Sequence, residues 1–340
     1  RSRRDLPWLQ TRDPYAIWVS EIMLQQTRVA VVVERYRAFL ARFPTLRSLA
    51  EAPEQEVLAL WSGLGYYRRA RMLHKAAQDV ATNHGGMMPT TSKELRLLPG
   101  IGAYTAAAIA SIAHGEGVAV VDGNVERVLC RMAGWEEGGR AGSAGLRRKI
   151  EDFAAELVDP EEPGEWNQAL MELGATVCLP RNPQCLTCPL IEDCTTRGEH
   201  KTLPRARMQN REAAYALCVR NGRNKGAEME DGEVLLEQRP ASLTVMPGLW
   251  ELPELADPAF PEEELRLTVR HAIMQVNYSV RIRAVLIQEH EESDLSALTD
   301  NGGERRWVRL SEAGKMALTG LARKVLNRIV FEPTGLEPPN

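Results

Sequence analysis

Leu98-Pro99-Gly100-Ile101-Gly102 lies between two stretches of helical pattern, and its reading decides the fold. Ser92 reads as the cap of a short helix running to Leu98, and Ala103–His114 as the helix that follows. Glycines free such a hairpin from Cβ clashes, and the second helix opens with unpaired N–H groups. Gly100 and Gly102 could therefore hold a phosphate oxygen through backbone amides alone. A plain helix–helix turn with a glycine cap is the common alternative, and the loop by itself does not separate the two.

Upstream, helix follows helix. Asp13-Pro14 is a start signal for a helix to about Gln26, and Val29 to Phe43 form a second. Pro44-Thr45 begins a third, Pro53 opens Glu54–Trp61 before Gly63-Leu64-Gly65, and Arg68–His84 ends at Gly85-Gly86. Downstream, the apolar run Val118–Val121 leads to an Asp122-Gly123-Asn124 turn and another helix. Two more are expected near Leu146–Leu157 and Glu165–Val177. This first part is predicted to be all α.

Cys178, Cys185, Cys188 and Cys194 fall within seventeen residues, spaced C-x6-C-x2-C-x5-C, while Cys130 and Cys218 stand alone. Four thiolates can bind tetrahedral zinc or a [4Fe–4S] cluster. One short C-x-x-C flanked by longer, proline-bearing spacers favours iron–sulfur, with zinc left open.

Lys201 to Glu212 is basic and reads as a linker. Beyond it the period changes to that of strands at Ala213–Val219, Val234–Glu237, Tyr278–Leu286 and Arg305–Val308. Helices are expected near Glu262–Arg270 and Ser311–Ile329. The organisation predicted is 1–200 all α with a metal loop at 178–194, a linker at 201–212, and a smaller α+β domain at 213–340.

With 44% hydrophobic and 26% charged residues among 340, two ordinary cores are affordable. No apolar run approaches the roughly 20 residues that cross a bilayer, so a soluble, cytosolic protein is expected. The net charge of −4 does not announce a nucleic-acid partner. Arginine clusters such as Arg68/Arg69/Arg71 read most simply as solvated faces.

Two carboxylates carry candidate chemistry. Glu21 has Ile17, Trp18, Leu24 and Gln25 one turn away, an environment that raises a carboxyl's pKa and prepares a general acid. From this helix alone, a glutamate at the edge of the stripe reaching water is the favoured reading. Asp122 stands where a helix begins, either as its N-cap or as a carboxylate facing a developing cation.

Together these stretches resemble a known family. Trp18 to Thr27, Gly63-Leu64-Gly65-Tyr66-Tyr67, the glycine hairpin, Val121 to Val125 and the cysteines occur in the order seen in the MutY adenine DNA glycosylases. Met246 to Pro253 is similar to that family's Nudix-like C-terminal domain. The resemblance implies a helix-hairpin-helix glycosylase domain, built as a six-helix barrel plus an iron–sulfur domain, followed by the smaller α+β domain. It also implies a late start, because relatives carry another helix before the position of Arg4.

By resemblance, Glu21 protonates adenine at N7 and later activates water, while Asp122 stabilises the oxocarbenium-like sugar. Tyr104 and Asn124 hold Asp122 and the sugar. Trp8, Leu24, Val29, Gln168 and Met171 line the adenine pocket, with Gln168 replacing a glutamate of some relatives. Gln25, Gln26 and Tyr66 meet the DNA, the last two entering the base stack. The reader of 8-oxoguanine, phenylalanine-serine-histidine in relatives, is here Ile273-Met274-Gln275. The implied cofactor is a [4Fe–4S] cluster on the four cysteines. The implied partner is double-stranded DNA with A:8-oxoguanine or A:G mispairs, met by a monomer in the bacterial cytoplasm, at the nucleoid.

Three rivals remain in view. Endonuclease III shares the helical part but uses a Schiff-base lysine where this chain has Tyr104, and a phenol forms no Schiff base. A Nudix hydrolase needs glutamates in the order R-E-x-x-E-E, which Glu262-Glu263-Glu264 does not supply. A non-catalytic DNA-binding module would explain the hairpin but not Glu21 beside Asp122.

Overall fold

A computed structural model describes residues 4–135, 144–200, 208–220, 232–273, 275–286, 295 and 297–330. Its helices are α1 (Pro14–Leu24), α2 (Val29–Arg42), α3 (Leu46–Ala50), α4 (Glu54–Trp61), α5 (Arg68–Asn83), α6 (Ser92–Leu95) and α7 (Ala103–His114). They continue with α8 (Gly123–Ala133), α9 (Ala144–Leu157) and α10 (Pro163–Thr176), then α11 (Leu310–Ala313) and α12 (Gly320–Val330) beyond the strands. Among the described residues no helix is long and apolar enough to cross a membrane.

The chain divides into two units. One comprises Arg1–Ala52 with Arg69–Arg205, and the other Pro53–Arg68 with Ala206–Asn340. The segment carrying α4 thus groups with the C-terminal strands, a long-range association that no local pattern announces.

In the helical unit, α1 starts as expected, with the Asp13 carboxylate accepting from Tyr15 N and Pro14 in the first turn. It ends earlier than expected, at Leu24, and Gln26 takes a positive φ of 55°. The helix before the hairpin is also shorter than expected. Its cap is Thr91 rather than Ser92, because the Thr91 hydroxyl meets Glu94 while the Ser92 hydroxyl bonds Glu116. Gly100 is required where it stands. Its φ is +77°, and a Cβ there would sit 2.5 Å from Met72 Cβ on α5.

The second unit holds a six-stranded sheet of β1 (Gln209–Arg220), β2 (Glu233–Gln238), β3 (Trp250–Glu251), β4 (Leu265–Ile273), β5 (Val276–Leu286) and β6 (Arg305–Arg309). The order is β3-β2-β1-β5-β4 with β6 on β2, and β1 runs parallel to β5 while the other pairs are antiparallel. Alternation along β1 sends Ala214, Ala216 and Cys218 to one buried cluster, and Leu217 to another that includes Leu321 and Val325 of α12. The lone Cys218 is a core residue.

Three expectations change here. The helix over Glu262–Arg270 is a 3-10 turn at Glu262–Glu264 followed by β4. The alternation Leu265, Leu267, Val269 outweighs three helix-favouring glutamates, and Val269 pairs with Val280 in the core. The single helix over Ser311–Ile329 is split into α11 and α12 by Gly314 to Thr319. Gln209 to Glu212 belong to β1 rather than to a linker, and residues 201–207 lie outside the described residues.

Candidate active site

Glu21 is delivered by α1, whose residues Tyr15 to Met23 are all buried. Arg69 on α5 closes the far end of that helix. Its guanidinium donates to the carbonyls of Ile22 (2.7 Å), Met23 (3.3 Å) and Gln25, and to the Thr27 hydroxyl (3.2 Å). It satisfies carbonyls that a helix end leaves without partners and so fixes the depth of the glutamate.

Glu21 is only 6% exposed. Tyr104, in the first turn of α7, donates its hydroxyl to Glu21 Oε2 at 2.6 Å and lies 3.5 Å from Met171 Sδ. Burial pushes the Glu21 carboxyl up to about 7, the Tyr104 bond draws it partly back, and the Asp122 charge adds to the rise. Burial and the Glu21 charge raise the Tyr104 phenol well above its ordinary range, so it serves as donor only.

The Val118–Val121 run reaches Asp122 under the control of buried Asn167, which accepts from Val120 N (3.0 Å) and donates to Val118 O (2.8 Å). Asp122 then caps α8, its Oδ1 accepting from Asn124 N (2.9 Å) and Val125 N (2.7 Å). Its Oδ2 accepts from Asn124 Nδ2 at 2.9 Å, and the residue borders the same cavity as Glu21. The N-cap reading of this aspartate holds, and the residue also borders the cavity. The Tyr104 hydroxyl bonds Glu21, while Asp122 is held by Asn124 and by Val125 N.

Asn124 is itself pressed into place, since a Cβ on Gly174 of α10 would come within 2.6 Å of Asn124 Cβ. Its Oδ1 accepts from Arg127 at 2.9 Å, and the same guanidinium reaches the carbonyls of Gly174 (2.7 Å) and Cys178 (2.9 Å). Arg69, Arg127 and Asn167 were missed in the sequence. The arginines were indistinguishable there from solvated charge, and the asparagine carried no signal.

The cavity has a volume of about 600 Å³. Trp8, Leu24, Val29, Gln168 and Met171 line it, as do Gln25 and Gln26. Trp8 packs edge-on against Tyr36 with ring centroids 5.5 Å apart, giving the pocket a rigid aromatic wall. Near it Arg4 forks onto Glu172 with two bonds of 2.7 Å. Gly100 and Gly102 lie apart from the cavity on an exposed hairpin, and Tyr66 belongs to the other unit. The expected reader residues fall at the β4–β5 hairpin, where Ile273 pairs with Val276. Met274 lies outside the described residues, while Gln275 is exposed and its carbonyl accepts from Gln209 N.

All four clustered cysteines line a second cavity with Arg131, which is 2% exposed. Arg131 donates to Leu179 O (2.7 Å), Pro180 O (3.1 Å) and Cys178 Sγ (3.4 Å). Among the described residues no three donors are gathered tightly enough for a single metal ion. Four thiols around one cavity, backed by a buried cation, are a donor set whose chemistry fits an anionic thiolate-bound metal group.

Residues 19–155 match the family described as HhH-GPD superfamily base excision DNA repair protein. A solved structure of a thermostable thymine-DNA glycosylase is 31% identical with a TM-score of 0.51, the match covering 57% of this chain and 89% of that one. The chain belongs to the HhH-GPD superfamily. Among curated relatives, a human adenine DNA glycosylase is 39% identical over 329 residues, 81% of this chain and 58% of the relative. One from Arabidopsis thaliana is 37% identical over 313 residues, 80% and 48% of the two chains. The chain spans about half the length of the curated relatives it matches. In this HhH-GPD chain the family match ends at residue 155, before the clustered cysteines.

Proposed function

We propose that the chain is a monofunctional adenine DNA glycosylase that removes adenine opposite 8-oxoguanine or guanine by flipping the base and hydrolysing its N-glycosidic bond. The observation that carries this reading is the buried Glu21 carboxyl, raised to about 7, in one cavity with Asp122. Protonated Glu21 gives its proton to N7 of the flipped base. The C–N bond breaks with its electron pair leaving on the base, and the Asp122 carboxylate faces the cationic sugar. Glu21, now ionised, accepts a proton from the water that attacks the sugar carbon, which restores the starting state. Tyr104 in place of a lysine supports hydrolysis without strand cleavage.

The test uses duplexes carrying A:8-oxoguanine, A:G, thymine glycol or no lesion, each assayed with and without alkali. Strand breaks at adenine only after alkali are expected. Cleavage at thymine glycol, or breaks without alkali, would overturn the reading.

We assign a [4Fe–4S] cluster to Cys178, Cys185, Cys188 and Cys194. When bound, it clamps residues 178–194 into one shape. Purified protein should be yellow-brown and contain iron and acid-labile sulfide. Cys188→Ser should lose that colour, and soluble yield before it loses chemistry. Zinc without iron would sink the assignment.

The reader pair gives a third test. Met274 and Gln275 stand where relatives have serine and histidine, and a thioether accepts hydrogen bonds only weakly. Preference for A:8-oxoguanine over A:G should widen about three- to tenfold in Met274→Ser/Gln275→His, the worth of one neutral hydrogen bond. Unchanged single-turnover rates and affinities on both duplexes would show that this hairpin is not the reader.

A further inference from the structure

Tyr66 is presented by a turn whose two roots are tied to one carbonyl far away in the sequence. Ser62, the fully buried C-cap of α4, donates its hydroxyl to Leu318 O at 3.3 Å. The Tyr67 hydroxyl donates to the same oxygen at 2.8 Å and lies 3.2 Å from Ser62 Oγ. Arg323 on α12 donates its Nε to Ser62 Oγ at 2.6 Å, while its other nitrogens reach Gly314 O (3.2 Å) and Met316 O (3.3 Å). Between the roots, Gly63, Gly65 and Tyr66 all have positive φ, of 96°, 70° and 47°. Tyr66 is 52% exposed. A bulky non-glycine residue in that region is strained and persists only where its surroundings over-determine it. Here the surroundings include the hydroxyls and the guanidinium of the clamp and the Trp61 indole, which donates to Gly65 O at 3.1 Å, all within the strand-bearing unit.

We propose that Ser62 and Arg323 are positioning residues that hold the turn so that the Tyr66 ring is already set for insertion between bases. The proposal rests on the reading of the chain as a duplex-binding glycosylase. Stacking a base on an aromatic ring gives a modest gain, which is reduced if the ring must first be ordered. A turn clamped at both roots avoids that loss. The C-terminal unit then contributes to duplex affinity through Tyr66, separately from any contact of its own with the opposite base.

The test is a double-mutant cycle on the full chain. Affinity is measured by fluorescence anisotropy for a duplex whose adenosine carries a 2′-fluorine, which resists cleavage. Ser62→Ala removes the hydroxyl without disturbing the cap's backbone, and should weaken binding about three- to tenfold. In a Tyr66→Ala background the same change should have no further effect, because the clamp acts through that ring. Arg323→Gln is the second variant and should follow the same pattern, which a purely structural loss of stability would not produce. Equal weakening with and without Tyr66, or no weakening by either variant, overturns the proposal. If Tyr66→Ala binds like wild type, the wedge assignment fails and the proposal with it. If the wild type does not bind the duplex, it is the glycosylase reading that fails.

Discussion

Glu21→Gln should abolish adenine release while leaving duplex affinity unchanged, with single-turnover rates lower by at least about a hundredfold. The amide keeps the shape of the side chain and can still accept from the Tyr104 hydroxyl, but it can neither give a proton nor take one back. The wild-type pH profile has a definite sign. The folded carboxyl is raised from 4.5 to about 7, and the protonated form is the acid. The proton-donating step should therefore be flat below about 7 and fall above it. The same raised value stabilises the fold fully below 4.5, and that contribution is lost as pH rises through about 7. The glutamine variant, with nothing to ionise, should gain thermal stability relative to wild type at pH 8. Excision by the variant at near wild-type rates would remove Glu21 from the mechanism.

Asp122→Asn should lower the single-turnover rate by about a hundred- to a thousandfold while the fold persists. Asparagine caps helices as well as aspartate, so Oδ1 can go on accepting from Asn124 N and Val125 N. The loss falls on the other oxygen. An amide nitrogen there would oppose the Nδ2 donor of Asn124 and remove the charge facing the sugar. Turning the Asn124 amide to relieve that opposition would break its bond from Arg127. Asp122→Ala separates the two roles, since it should add a stability loss of about 1 kcal/mol from the missing cap. A variant Asp122→Asn with more than a tenth of wild-type rate would leave this residue as a cap alone.

The helical unit was largely legible because its punctuation is local. Asp13-Pro14, the glycines around α7 and the Asp122 cap each act within a few residues. The burial of Glu21 was not legible. The sequence offers only the neighbours one turn away, whereas Tyr15 to Met23 are buried all round by other helices. A helix without a wet side gives a glutamate no edge from which to reach water. In β4, the helix-favouring glutamates lie just before the strand, and the period-two alternation starts only at Leu265. The arginines at the site were hidden for a different reason. Arg69 and Arg127 bind backbone carbonyls at helix ends, and their partners are set by chain crossings that leave no periodic trace.

The discontinuous second unit has a consequence for biosynthesis. Pro53–Arg68 leaves the ribosome roughly 140 residues before Ala206 and its sheet, a wait of about 10–30 s at typical elongation rates. During that interval Val57, Leu58 and Trp61, all wholly buried in the finished protein, lack the rest of their unit. The nascent chain therefore holds this segment without the rest of its unit while about 140 further residues are made, a window open to chaperones or to misassembly. A stop codon just after the cysteine loop would make that interval permanent, so such a truncation damages more than the part it deletes.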